Sequence, residues 1–580
     1  MFKKLLVANR GEIAVRVMRG CRDLDIATVA VYSDLDATAV HARLADEAYN
    51  VGAGAANQSY LVVDNILEAA KRSGAEAVHP GYGFLAENAA FAQAVIDAGL
   101  VWVGPSPEVI EGMGEKTSAR RAASEAGVAT VPGTADPVTT VAEVMDFVSA
   151  HGLPLAIKAS AGGGGKGFRV VKEAGEIEDA LAGAAREASA YFSSDSVYLE
   201  RYLERPRHIE IQVMGDASGS VLSFPERDCS LQRRHQKLVE ESPSPALDAG
   251  VREAIMEAAA KVSKQVGYRN AGTCEFLLDS DGKTFYFLEM NTRLQVEHPV
   301  TELVTGIDLV RSQLLVAAGE SLDYAQEDIQ LKGHAIECRV NAEDPGKNFM
   351  PAPGRIGRYH EPAGPGVRVD SGTEANSEIP QAYDPLVSKV ITYGANRDET
   401  RRRMLRALAE YEIEGIKTTI PFHRLMLADE RFISGEYHTG TVEREMDLSS
   451  LAQKREPKPK IGEPQIATRR FGVEVDGKRF EVAVRERLEE TVAAKKPKPP
   501  ERAASVGGGG SEELKAPMQG TIVKVLVEKD AQVKAGEAIA VLEAMKMENS
   551  ILAHTEGTVA EIKVAAGQSV ETGATIAIIR

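Results

Sequence analysis

Residues 153–171 read LPLAIKASAGGGGKGFRVV. Leu153 to Ala159 and Phe168 to Val171 have the aliphatic, β-branched content of strands, so the glycine run joins two strands. A Walker A loop requires a helix and a Ser or Thr directly after its lysine, because the helix N-terminus and the hydroxyl hold phosphate and metal. Here Gly167 and Phe168 follow Lys166, so this is not a P-loop. Four consecutive glycines still let backbone N–H groups close over phosphates, with Lys158 and Lys166 as charge partners. A mobile surface loop fits the same pattern, and the loop alone leaves both readings open.

Upstream, Lys4–Ala8 reads as a strand, Glu12–Arg22 as a helix with Ile13, Val17 and Met18 on one side, and Thr28–Tyr32 as another strand. That α/β start lacks G-x-G-x-x-G after its first strand, so a nicotinamide cofactor is not indicated. Downstream, Thr273–Leu278 and Thr284–Asn291 read as strands around an Asp281–Gly282 turn, and a three-residue loop sets Glu275 opposite Glu289. Period two places Glu289, Asn291, Arg293 and Gln295 on one face and Met290 and Leu294 on the other. Two carboxylates and an amide form a hard oxygen site suited to Mg²⁺ with substrate phosphates. A solvated sheet face has the same alternation.

The chain has 580 residues, enough for several cores, and a net charge of −17, which disfavours phosphate-backbone binding. Nucleic acid is not expected as a partner. Four scattered cysteines suggest buried thiols rather than zinc or disulfides, and no segment has signal-peptide or membrane-spanning character, so a cytoplasmic protein is expected. Residues 451–510 carry 14 Lys and Arg against 9 Asp and Glu, with six of the 26 prolines. This region ends in KKPKPPERAASVGGGGS, residues 495–511, a linker composition. Within it, Val473, Val475, Phe480, Val482 and Val484 alternate around Asp476–Gly477, predicting a hairpin at about 470–486 that docks on the core or on a partner.

The last 65 residues repeat with a shift of 37: Gly520–Thr521 recurs as Gly557–Thr558, Val533 as Val570, and Ile539–Ala540 as Ile576–Ala577. Two copies of one β unit predict a pseudo-twofold sandwich, with residues 542–552 as the connector. Lys546 sits in that connector.

HPGYGFLAEN (79–88), the glycine loop after Lys158, RDCSLQRRHQKLVEE (227–241), EMNTRLQVEHPVTE (289–302) and CRVNAEDP (338–345) resemble biotin carboxylase, and AMKMEN (544–549) resembles the biotin attachment sequence of carrier domains. The order resembles the α chain of acyl-CoA carboxylases, particularly the actinobacterial type. The resemblance implies an α/β and α+β multidomain chain. An ATP-grasp biotin carboxylase would span 1–450, with subdomains at about 1–115, 116–330 and 331–450. The 451–510 linker and hairpin region follows, then an all-β biotinyl/lipoyl-type sandwich over 511–580. The usual Asp and Ala flanks of a lipoyl lysine are absent from AMKM, so biotin is favoured over lipoate.

The resemblance also implies ATP-dependent carboxylation of biotin by bicarbonate, with biotin on Lys546 and with ATP and Mg²⁺ or Mn²⁺ as cofactors. Lys116, Lys158, Gly164, Gly165, Glu200, Arg201, Leu203, His208 and His235 would hold ATP, and Glu275, Glu289 and Asn291 the metal. Lys237, Arg293, Gln295 and the Val296 backbone would orient bicarbonate for Glu297, the candidate base, whose task needs a raised pKa or a close cation. The plain alternative for Glu297 is an ion pair with Arg293. Arg339 would stabilise the ureido oxygen of biotin, and Tyr82 would line its pocket. The implied partners are a carboxyltransferase β subunit, a transient biotin protein ligase and further copies of the chain, with no membrane involved. The rival readings are another ATP-grasp ligase, which would not explain AMKMEN, and a carrier or scaffold with a degenerate nucleotide site.

Overall fold

Short aliphatic strands separated by amphipathic helices build the start of the chain: β1 (Lys4–Val7), helix α1 (Gly11–Arg22), β2 (Ala27–Ser33), β3 (Glu47–Gly52), β4 (Ala77–His79) and β5 (Val101–Trp102). They form a parallel sheet in the order β3-β2-β1-β4-β5, within a residue or so of the expected bounds for the first three elements. Both faces are apolar, with Leu5 and Val7 packed under α1 and Leu6 and Ala8 on the other side. The computed structural model describes all residues except 135, 160–167, 193–196, 453–465, 476–477, 488–512, 518–519, 545–546 and 572. Two compact units result, Met1–Asp447 and Leu448–Arg580.

The glycine run does join two strands. β6 (Leu155–Ala159) pairs antiparallel with β7 (Phe168–Val171) and with β8 (Val197–Arg201), so Lys158 lies opposite Phe168 and Tyr198. The glycines themselves, including Gly164 and Gly165, lie outside the described residues.

A nine-stranded antiparallel sheet carries most of the candidate residues. Its elements are β9 (Arg207–Gly215), β10 (Val221–Ser223), β11 (Arg227–Arg233), β12 (Gln236–Ser242), β13 (Asn270–Leu278), β14 (Phe285–Asn291), β15 (His334–Asn341) and the strands Val367–Ser371 and Leu386–Gly394. Glu275 does lie opposite Glu289, but the route differs from the expected three-residue loop. Leu278 pairs with Phe285, one step out of that register, and a bulge between Glu275 and Phe276 restores the alignment. The bulge leaves Leu288 as the extra residue, which is exposed. Met290 and Leu294 are buried, as the alternation requires.

In the second unit, the hairpin is longer than expected: Ile466–Val475 pairs with Lys478–Arg487 in continuous register about Asp476–Gly477, which are themselves outside the described residues. The 495–511 linker also lies outside them. The C-terminal module follows its repeat closely. Gly520–Val525 and Gly557–Ile562, Gln532–Val533 and Ser569–Val570 are strands exactly one repeat shift apart. Two four-stranded sheets result, each borrowing a short strand from the other copy. The stretch expected as the connector is a hairpin, in which Ala538–Ala544 pairs with Met547–Leu552.

All four cysteines are free and buried. Among the described residues no helix is long and apolar enough to cross a membrane. Arg402, Arg403 and Arg406 form (i, i+4) pairs with Asp398, Glu399 and Glu410 on the helix Arg397–Glu410, which buries Met404, Ala407 and Leu408.

Candidate active site

Antiparallel pairing brings together side chains that are far apart in sequence. Lys237, on β12, reaches three carboxylates: Glu275 Oε1 at 2.9 Å, Glu297 Oε1 at 2.9 Å, and Glu210 on β9. Glu297 stands at the N-terminus of the helix His298–Thr305 and is fully buried. Its Oε2 accepts from Arg339 Nη2 at 2.8 Å, and Arg339 Nε donates to Glu240 Oε1 at 2.6 Å. Two cations therefore hold Glu297 from either side. Arg293, the alternative partner, pairs instead with Glu87 at 3.0 Å and donates to Asn291 Oδ1 at 2.9 Å.

Burial pushes the Glu297 carboxyl up, but Lys237, Arg339 and Arg227 outweigh it and hold it well below the usual carboxylate range. Close cations, not a raised pKa, therefore govern this carboxyl. Burial and the Glu297 charge push Glu210 up to about 7. Lys237 is raised: burial works against its charge, and Glu210, Glu275 and Glu297 overcome it.

The metal-type donors are contiguous with this cluster. Glu275 Oε1 accepts from Asn291 Nδ2 at 2.8 Å and Gln295 Nε2 at 3.0 Å, and Glu275 Oε2 lies 2.9 Å from His208 Nε2. The carboxylates of Glu275 and Glu289, on paired strands, with the Asn291 amide oxygen, are the oxygen set a Mg²⁺ ion takes, so these residues fit the metal. His208, expected at the nucleotide, thus meets Glu275, expected at the metal.

Elsewhere, Lys158 is bonded to Glu200, which also pairs with Arg120 at 3.0 Å. Arg201 donates to the Tyr286 hydroxyl at 2.9 Å and pairs with Asp279 at 2.9 Å, while Leu203 packs with Val131 and Tyr286. His235 is exposed at the β11–β12 turn with φ +63°. Lys116 begins the helix Lys116–Glu125. The Tyr82 hydroxyl is bonded to Glu12 Oε2. In the second unit, Ala544 and Met547 pair across the sandwich hairpin, and Lys546 falls between them, outside the described residues.

Sequence reasoning missed Glu87, Glu210 and Glu240. Glu87 and Glu240 lie inside quoted motifs, and Glu210 shares a strand face with His208 by period two, but none advertises its partner.

Comparison with known proteins follows the same division. Residues 1–110 match "Biotin carboxylase, N-terminal domain", 115–325 "Carbamoyl-phosphate synthase L chain, ATP binding domain", 337–444 "Biotin carboxylase C-terminal domain" and 512–579 "Biotin-requiring enzyme". The biotin-dependent acyl-coenzyme A carboxylase alpha3 subunit of Mycobacterium leprae is 48% identical over 100% of this chain and 98% of its own length. Biotin carboxylase 1 of Bacillus subtilis is 53% identical over 76% of this chain and 98% of its own. The biotin carboxylase domain of Hydrogenobacter thermophilus 2-oxoglutarate carboxylase, solved as a dimer with MgADP, ADP and bicarbonate, superposes with a TM-score of 0.70 at 46% identity, covering 76% of this chain and 97% of that one.

Fold and site thus define an ATP-grasp biotin carboxylase that carries its own biotin-requiring module. The chain belongs to the family of biotin-dependent acyl-CoA carboxylase α subunits. It is an enzyme of that class, with biotin, ATP and Mg²⁺ as its cofactors.

Proposed function

We propose that this chain carboxylates biotin attached to its own Lys546, using ATP and bicarbonate, and supplies the carboxyl group to a separate carboxyltransferase β subunit acting on an acyl-CoA of the acetyl or propionyl type. The observation that carries the reading is the buried Glu297 carboxylate held between Lys237 and Arg339.

Bicarbonate is a weak nucleophile and must lose its proton before it attacks the γ-phosphate of ATP. Glu297, kept ionised by its two cations, accepts that proton. Lys237, Arg293, Gln295 and the Val296 backbone orient the anion. Glu275, Glu289 and Asn291 would hold Mg²⁺, or Mn²⁺ in its place, and the ion would supply positive charge to offset that of the phosphates. Lys116, Lys158, Gly164, Gly165, Glu200, Arg201, Leu203, His208 and His235 hold the nucleotide. Arg339, a guanidinium that keeps its charge at any working pH, stabilises the negative ureido oxygen of biotin beside Tyr82.

The division of the chain at about 450 and 511, association of carboxylase copies, transient recognition by a biotin protein ligase and a cytoplasmic setting complete the reading. The sequence alignment with the Mycobacterium leprae subunit over the whole chain supports it.

The test uses biotin-loaded full-length chain with ATP, Mg²⁺ and carbon-labelled bicarbonate. ADP release that depends on bicarbonate, with label recovered on the chain, is expected. Bicarbonate-independent ADP release without label would overturn the reading. Copurification with the β subunit, followed by an acyl-CoA panel, identifies the acceptor.

A further inference from the structure

Lys389 is fully buried, on the strand Leu386–Gly394, directly opposite Arg339 of β15. A buried ammonium is strongly unfavourable unless its donors are engaged. The partners of Lys389 are specific. Nζ donates to the carbonyl oxygen of Val296 at 2.8 Å, pairs with Glu12 Oε1 at 2.9 Å, and lies 3.9 Å from Asp370 Oδ2. Glu12 belongs to the first turn of α1, and its second oxygen accepts from the Tyr82 hydroxyl. The ammonium also lies 6.0 Å from the centre of the Tyr82 ring.

One side chain therefore touches two parts of the site. The Val296 carbonyl lies in the Arg293–Glu297 segment assigned to bicarbonate, and the peptide it belongs to leads directly into Glu297. Glu12 and Tyr82 lie on the side assigned to biotin. Glu12 has little freedom to move: a Cβ on Gly372 would stand 2.4 Å from Glu12 N and 2.4 Å from Gly11 C, so the backbones there are in direct contact. Asp370 keeps Arg368 as a partner at 2.7 Å and Glu337 meets the lysine through charge alone, which leaves Glu12 and Val296 as the site groups that it holds directly.

We propose that Lys389 is a positioning residue that sets the bicarbonate segment and the biotin wall in register, one arm orienting the Val296–Glu297 peptide and the other orienting Tyr82 through Glu12. The inference rests on the site assignment proposed above. Its consequence is separable from stability, because the two arms act on two different substrates and neither reaches the nucleotide residues.

Steady-state KM values for ATP, bicarbonate and free biotin, measured on the full chain beside its melting temperature, decide the matter. Lys389→Met, which keeps the length of the side chain and removes its donors, should raise the KM for bicarbonate and for biotin by about tenfold each, the size of a typical coupling between sites, with the ATP KM within about twofold. Glu12→Gln keeps the lysine and its bond to Val296 but cannot accept from both Lys389 and Tyr82. It should raise the biotin KM alone, and it decides the matter if Lys389→Met does not fold. Unchanged KM values for both small substrates, or a parallel rise in all three, would overturn the inference. If Glu297→Gln is inactive while Lys389→Met and Glu12→Gln keep wild-type KM values, only this inference fails. If Glu297→Gln retains full turnover, the site assignment itself fails.

Discussion

Glu240 of β12 lies directly opposite Glu337 of β15, both wholly buried. Burial raises both carboxyls, and Arg339 favours the charge on Glu240 by donating to it at 2.6 Å. Among the described residues both oxygens of Glu337 lack hydrogen-bond partners, and burial raises its pKa well above the carboxylate range against the pull of Lys389, with Glu240 reinforcing the shift. Glu337 is therefore the neutral member. Glu337→Gln should leave unfolding free energy within about 1 kcal/mol of wild type, since it replaces one neutral group by another. Glu240→Gln, which strips a charged partner from buried Arg339, should cost about 3 kcal/mol. Denaturant unfolding of the two variants measures both, and equal losses would contradict the assignment.

Glu297→Gln keeps the shape of the side chain and removes the proton acceptor. Turnover should fall at least a hundredfold, the range for losing a general base, while the ATP KM stays close to wild type. Bicarbonate-dependent ADP release with free biotin reports both numbers. A wild-type rate would place the deprotonation elsewhere.

Lys546→Arg preserves charge but offers no amine for amide formation. The variant should no longer bind streptavidin after incubation with a biotin protein ligase, while its ATPase with free biotin continues, because the carboxylase residues belong to the other unit. Streptavidin binding by the variant would move the attachment site.

His41, His79 and His423 are buried, and burial lowers each to about 4. A histidine depressed below its unfolded value near 6.5 contributes stability that is fully present above that value and is lost as pH falls toward the folded value. At about pH 5 each should cost about 2 kcal/mol relative to neutral pH. The position of His423 makes this relevant to the site: its Nε2 donates to the Arg339 carbonyl at 2.6 Å, and its Nδ1 has no partner. Urea unfolding should show a clear loss of stability between about pH 7.5 and about pH 5, and an unchanged midpoint would contradict the burial of these rings.

Much of this protein is legible without coordinates, and for a local reason. Strand and helix period, the shift of 37 in the C-terminal module and the Asp476–Gly477 turn act over a few residues, so they survive in the sequence and reappear in the strands. The pairing of Glu275 with Glu289 was legible for the same reason, although the bulge that restores its register was not. The electrostatic partners were set at long range. Lys237 with Glu210, Arg339 with Glu240 and Glu297, and Lys389 with Glu12 and Val296 meet because antiparallel strands and a helix from distant segments converge on one sheet. Period two says which way a side chain points but not which strand lies beside it. The order of modules and the chemical residues available are therefore written along the chain, whereas the two cations on Glu297 and the turn of Arg293 to Glu87 arise only when distant strands pack. Register between distant strands is chosen by packing of the whole core, and no local pattern carries it.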